Sequence, residues 1–204
     1  MISLFLDTSS KKLAIYLVKD NNIIYENVLE TINDHSSIVV PSIEEGLSNN
    51  NIKTSDIDRV YIVVGPGSFT GTRIGVTIGK TICYSNDIIS IPVSSLKQYV
   101  FGYDNYDYYV SIIVDKNKFY YGIYDRYYND VISDKYDDID ELKKDINNLS
   151  GNIIIISDKI IDGIKTNEQK INIIKLINYY SDKGINYNLL KPNYLKKIEA
   201  EKND

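Results

Sequence analysis

The sequence predicts an α/β protein made of two strand-rich halves with helices between them. Three observations carry that prediction. Short β-branched and aromatic runs bounded by turn residues recur in both halves. Between them lie longer stretches whose apolar residues recur at helical spacing, such as Val39, Ile43 and Leu47. The apolar run Val60 to Val64 stops at Gly65-Pro66-Gly67 and leads into a helical stretch, which sets a glycine loop between a buried strand and a helix.

In chain order, residues 2–7, 13–19 and 23–31 read as an opening meander joined by polar turns. Asn33 or Asp34 then caps a helix running to about Asn50, with Pro41 acceptable only near its first turn. The glycine-loop strand and its helix follow. Residues 88–91 form a short strand, and Ser94 or Ser95 caps a helix through about Phe101. Tyr108 to Asp115 and Phe119 to Arg126 make a hairpin that Val131 to Ser133 extends. The acidic run Asp134 to Glu141 reads as the acid-rich start of a helix through Leu149, since it lacks the glycine and ligand spacing of a calcium loop. Residues 153–156 form a buried strand, 171–180 a helix, and the tail is a turn with a basic end. No internal repeat shows by residue identity. The reading divides the chain into residues 1–102 and 103–204.

Composition narrows the function classes. A 43% hydrophobic content suits a globular core, and no apolar run approaches the roughly 20 residues that span a bilayer. The amino terminus lacks the basic start of a secretory leader, and Cys83 is the single cysteine, so a reducing cytoplasmic setting is expected, with no membrane contact. A net charge of −5 argues against the chain gripping nucleic acid unaided. The 19 tyrosines fit an A/T-rich coding sequence, and most of Tyr106, Tyr108, Tyr109, Tyr120, Tyr121, Tyr124, Tyr127 and Tyr128 should be strand residues.

The loop Gly65, Pro66, Gly67, Ser68, Phe69, Gly71 invites a phosphate-binding reading, because free N–H groups at a helix start attract anions. Its register fails both familiar motifs by one residue. Gly65, Gly67 and Gly71 overshoot the dinucleotide spacing, and Gly79-Lys80-Thr81 has Ile74 where a phosphate loop needs its first glycine. Gly71, Gly75 and Gly79 instead recur every fourth residue, a smooth helix face fit for close approach of another backbone, either within the core or from a partner.

Taken with Phe5-Leu6-Asp7-Thr8-Ser9-Ser10, the segment Val114 to Gly122 and the tail Pro192-Asn193-Tyr194-Leu195-Lys196, this loop resembles the TsaB (YeaZ) family. The resemblance runs in order over nearly the whole chain, although the basic residues usual in the 115–118 turn are only partly reproduced. It implies an actin-like, ribonuclease-H-like fold with two subdomains, the second abbreviated. It also implies a non-catalytic partner of a TsaD-like subunit, which transfers a threonylcarbamoyl group to N6 of adenosine 37 in tRNAs reading codons that begin with A, with a TsaE-like ATPase completing the system. The implied partner surface is the first two helices, here carrying His35, Ser36, Val39 and Ile43, and Thr70, Arg73, Gly75 and Gly79. The same helices could pair two copies of the chain, and tRNA would be met only through the complex. The resemblance implies no intrinsic cofactor, with any ATP or ADP held by the assembled complex.

The residue chemistry agrees with a non-catalytic subunit. The two-histidine metal pair of TsaD-like subunits cannot form, because His35 is the only histidine and Val39 stands four residues on. Cys83 and His35 belong to no nucleophile motif. The alternative is a small actin-like ATPase or kinase in which Asp7, Thr8, Ser9 and Ser10 form the phosphate turn.

Overall fold

A computed structural model describes residues 1–30 and 35–196. Among these residues two compact units emerge: Met1–Ser95 with Ile173–Asn193, and Leu96–Asn172 with residues 194–196. The sequence reading drew a single boundary after residue 102. In the structure residues 173–193 return to the first unit.

The first unit holds a five-stranded sheet. Strands β1 (Ile2–Asp7), β2 (Lys12–Lys19) and β3 (Asn22–Glu30) form an antiparallel meander. Strands β4 (Arg59–Val63) and β5 (Ile89–Val93) add in parallel on the other side of β1, giving the order β3-β2-β1-β4-β5. Helix α1 (His35–Asn49) connects β3 to β4, and α2 (Phe69–Asn86) connects β4 to β5. Fully buried Leu4, Leu6, Leu13, Ile15, Leu17, Val60 and Ile62 pack with Val39, Ile43 and Leu47 of α1 and Val76 and Cys83 of α2. Near-continuous apolar strands are what a sheet buried on both faces requires.

The second unit repeats the plan with one strand fewer. Strands β6 (Tyr108–Asp115), β7 (Lys118–Asp125) and β8 (Asp130–Asp137) form an antiparallel meander, and β9 (Ile153–Ser157) pairs in parallel with β6, giving the order β8-β7-β6-β9. Helix α3 (Ile139–Asn147) occupies the position α1 holds in the first unit. The chain carries no residue-level repeat, yet the topology repeats, because pairing order depends on where apolar strands and turns fall rather than on which apolar residues fill them.

Several expected elements differ in detail. The candidate caps Asn33 and Asp34 lie outside the described residues. Pro41 is seven residues into α1, farther than expected, on the exposed face where losing a backbone donor costs least. The helix expected after Ser95 is a short 3-10 turn, Lys97–Gly102, with no side-chain cap, because the Ser95 hydroxyl donates to the Pro66 carbonyl instead. The acidic run divides. Residues 134–137 complete β8, Asp138 caps α3 by accepting from the N–H groups of Asp140 and Glu141, and those two acids occupy its first turn. Of the eight tyrosines expected in strands, Tyr108, Tyr109, Tyr120, Tyr121 and Tyr124 are there, whereas Tyr106, Tyr127 and Tyr128 sit in the adjoining turns.

Helix α4 (Ile173–Tyr179) belongs to the first unit and buries Ile173, Leu176 and Ile177. Its Ile177 carbonyl accepts from Tyr61 Oη at 3.3 Å, and just beyond it the Ser181 carbonyl accepts from the Arg59 guanidinium.

Candidate functional site

The glycine loop is clamped on both sides by its own unit. The Ser95 N–H donates to the Gly65 carbonyl at 3.0 Å, and the Asn193 N–H donates to the Val64 carbonyl at 2.7 Å. Part of the tail motif is thereby accounted for, since Asn193 straps the end of β4. Ser68 caps α2 by accepting from the Gly71 N–H at 3.1 Å. Gly65, at φ +99°, adopts a left-handed conformation that a side chain would strain.

The glycine stripe faces inward. A Cβ on Gly71 would overlap the Thr8 carbonyl, one on Gly75 the Thr8 hydroxyl, and one on Gly79 would lie 2.5 Å from Ile62 Cγ1. Gly67 meets the Ser9 carbonyl in the same way. The close backbone approach read from the spacing therefore occurs within the unit, between α2 and the ends of β1 and β4. This corrects the expectation that Gly75 and Gly79 clear room for a partner's backbone.

The same contacts fill the turn that the ATPase alternative needs. Asp7, Thr8 and Ser9 are buried. The Thr8 hydroxyl donates to the Gly71 carbonyl at 2.7 Å, the Ser9 N–H donates to Asp7 Oδ1 at 2.7 Å, and the Ser68 N–H donates to the Ser9 carbonyl at 2.7 Å. Ser10 closes a local turn by accepting from the Lys12 N–H at 3.0 Å, and its carbonyl lies 2.8 Å from His35 Nε2. His35 thus ties the start of α1 to this turn. The Thr8 and Ser10 hydroxyls and the Ser9 N–H, three of the donors a phosphate would use, are thus engaged within the unit.

The eight residues expected to meet a partner separate by burial. His35, Val39, Ile43, Gly75 and Gly79 are buried and serve the core, whereas Ser36, Thr70 and Arg73 are exposed. Exposed large hydrophobic residues on these helices include Val40 on α1 and Phe69 near the start of α2, each 43% exposed, and Tyr84 near the end of α2. The Arg73 guanidinium stacks over the Phe69 ring, 3.8 Å from its centroid, the one-turn spacing that lets the two meet on a helix surface. Helices α1 and α2 touch each other. Sequence reasoning missed Val40, whose only signal is an apolar residue out of phase with the buried stripe of Val39, Ile43 and Leu47. Cys83 is buried in the core of the first unit, and burial pushes its thiol up to about 12, which makes it a poor nucleophile.

Comparison with known proteins agrees with this architecture. The family model described as "TsaD: tRNA N6-adenosine threonylcarbamoyltransferase" matches residues 23–170, more than half of the chain. The tRNA threonylcarbamoyladenosine biosynthesis protein TsaB of Bacillus subtilis is 33% identical over 126 residues, which is 61% of this chain and 55% of that protein. TsaB of Haemophilus influenzae is 32% identical over 93 residues, 46% of this chain and 39% of that protein. The matched stretch therefore spans about half the length or less of these relatives. The structure of YeaZ from Pseudomonas aeruginosa superimposes with a TM-score of 0.74 over 95% of this chain and 99% of its own, at 14% identity, a likeness of fold. The match over residues 23–170 places the chain in the family that this threonylcarbamoyltransferase model describes, with sequence similarity to TsaB proteins and the fold of YeaZ.

Proposed function

We propose that this chain is a non-catalytic subunit in threonylcarbamoyladenosine synthesis. It docks on a TsaD-like transferase and supports modification of adenosine 37 in tRNAs reading codons that begin with A, with a TsaE-like ATPase completing the assembly in the cytoplasm. The relatives named for this pathway support the reading. The observation that carries it is the bonding of the candidate phosphate turn to α2 together with exposed side chains on two touching helices, Phe69, Thr70 and Arg73 on α2 and Ser36 and Val40 on α1. A stacked aromatic–arginine pair is the kind of anchor that dominates protein interfaces. Two copies of the chain could use the same face when the partner is scarce.

Co-purification with the TsaD-like protein of the same organism, followed by light scattering, tests this. A stable heteromeric complex at micromolar concentration is expected, and Arg73→Glu should weaken it at least tenfold, about 1.4 kcal/mol or more, without altering the circular dichroism spectrum. Failure of the natural chain to associate would sink the reading. Calorimetric titration with magnesium and ATP should show no binding to the isolated chain at millimolar nucleotide. Saturable heat lost in an Asp7→Asn variant would restore the ATPase alternative.

A further inference from the structure

The tip of the β6–β7 hairpin gathers positive charge in an otherwise acidic chain. Asp115 pairs with Lys118 across the ladder, so Lys116 and Asn117 form a two-residue turn, and Lys116, Asn117 and Lys118 are all exposed. Two further lysines come from distant parts of the sequence. Lys159 lies beside the hairpin, its Nζ donating to the Val114 carbonyl at 3.2 Å, and Lys196 Nζ bridges Asp115 at 3.0 Å. Tyr136 stands among them. Its hydroxyl donates to Asp115 at 2.9 Å, and its ring lies 5.5 Å from Lys118 Nζ and 5.6 Å from Lys196 Nζ.

The acids at this end are engaged. Asp115 is held by Lys196 and Tyr136, and Asp158 accepts from the Val114 N–H at 2.8 Å. Among the described residues no carboxylate forms an ion pair with Lys116, Lys118 or Lys159, and these three ammonium groups outnumber the one charge of Asp158 that lies beside Lys159. A convex hairpin has no walls to enclose a small anion, but spaced charges on a tip suit the repeating phosphates of a nucleic-acid backbone.

We propose that Lys116, Lys118 and Lys159 form an auxiliary contact for the phosphodiester backbone of RNA, with Lys196 and Tyr136 holding the hairpin in place. This inference rests on the reading of the chain as a subunit acting on tRNA, and it adds to the expectation that tRNA is met only through the complex a direct contact by this chain within it. A net charge of −5 makes the contact weak in the isolated chain, so it adds affinity to the assembled complex rather than recruiting RNA alone.

The test compares the complex of this chain and its TsaD-like partner with the same complex carrying Lys116→Ala, Lys118→Ala and Lys159→Ala, using fluorescence anisotropy of a labelled tRNA transcript from 50 to 200 mM salt. The expected result is an unchanged complex by light scattering, an affinity lowered about tenfold at low salt, and a salt slope reduced by about two, since each lost phosphate contact removes roughly 0.7 to 0.9. Unchanged affinity and slope in an intact complex would overturn this inference alone. If the triple variant fails to join the partner while the natural chain joins it, the tip is a protein contact and the inference is likewise overturned. A natural chain that forms no complex overturns both this inference and the proposed function.

Discussion

Thr8 is the residue on which the first unit's geometry turns. It is fully buried, donates to the Gly71 carbonyl at 2.7 Å, and faces the bare Cα of Gly75 with its hydroxyl. A methyl group at Gly75 would compete for that hydroxyl's space, and overpacking of this kind costs about 1–3 kcal/mol. Gly75→Ala should therefore destabilise the chain by that amount in urea unfolding, even though alanine is the better helix former. Thr8→Ala removes the obstructing hydroxyl at the cost of one buried hydrogen bond. The double variant should then be more stable than the sum of the two single losses by about 1 kcal/mol, the size of coupling expected between residues in contact. Strict additivity would show that the stripe does not pack on Thr8. Arg73→Ala, on the exposed side of the same helix, should stay within about 0.5 kcal/mol of the natural chain. One helix thus keeps its packing face apart from the face proposed for docking.

At the scale of elements, β7, β8 and α3 are joined by a charged knot. Tyr121 Oη donates to Asp145 at 2.7 Å, and Lys135 Nζ bridges the same carboxylate at 2.8 Å. Partial burial alone would raise the Asp145 pKa, but the hydrogen bonds from Lys135 and Tyr121 outweigh it and hold the carboxyl below its usual range. A depressed folded-state pKa contributes stability that is present above the unfolded value, near 4, and is lost as pH falls through the folded value. Asp145→Asn should therefore cost about 1–2 kcal/mol at pH 7, the worth of hydrogen bonds to a charged group, with the difference from the natural chain shrinking as the solution is taken below about pH 4. Chemical unfolding followed by circular dichroism at several pH values measures it, and a pH-independent difference would assign the loss to packing. The knot also marks the limit of what the sequence makes legible. The strands β1, β4, β6 and β9 and the helices α1 and α2 are plain in apolar periodicity and turn residues, because each is decided by its own residues. The strand character of residues 134–137 is not, since cross-strand pairing with β7 and partners such as Tyr124, which donates to Asp134, and Asp145, which Lys135 bridges, decide it from afar. The site divides the same way. A four-residue glycine period shows that a backbone comes close, but whether that backbone is the protein's own or another's depends on where Thr8 and Ile62 stand after folding. The lysine tip, drawn from residues 116, 118, 159 and 196, has no local pattern at all.

At the scale of the whole chain, the first unit is discontinuous, and its integrity depends on a segment that follows Leu96–Asn172 of the second unit. Residues 173–193 bring Ile173, Leu176, Ile177, Tyr180 and Leu190 into buried positions, tie Tyr61 and Arg59 through the Ile177 and Ser181 carbonyls, bridge Ser90 to Ile185, and strap Val64 through Asn193. Burying one large apolar side chain is worth about 1.5–3 kcal/mol, so five of them represent roughly 10 kcal/mol. That is comparable to the total stability of about 5–15 kcal/mol typical of a domain. A chain truncated after Asn172 should accordingly keep every strand of both sheets in its sequence and still lose the cooperative fold of residues 1–95. Amide resonances of the first unit should collapse in dispersion, and its urea transition should broaden or vanish. Because the missing surface is a discrete helix and strap, a synthetic peptide of residues 173–193 added in trans should restore dispersion at high micromolar concentration, whereas a peptide with Leu176 and Ile177 replaced by serine should not. Native dispersion in the truncated chain without the peptide would show that the five-stranded sheet with α1 and α2 is self-sufficient, and that the returning segment decorates the unit rather than completing it.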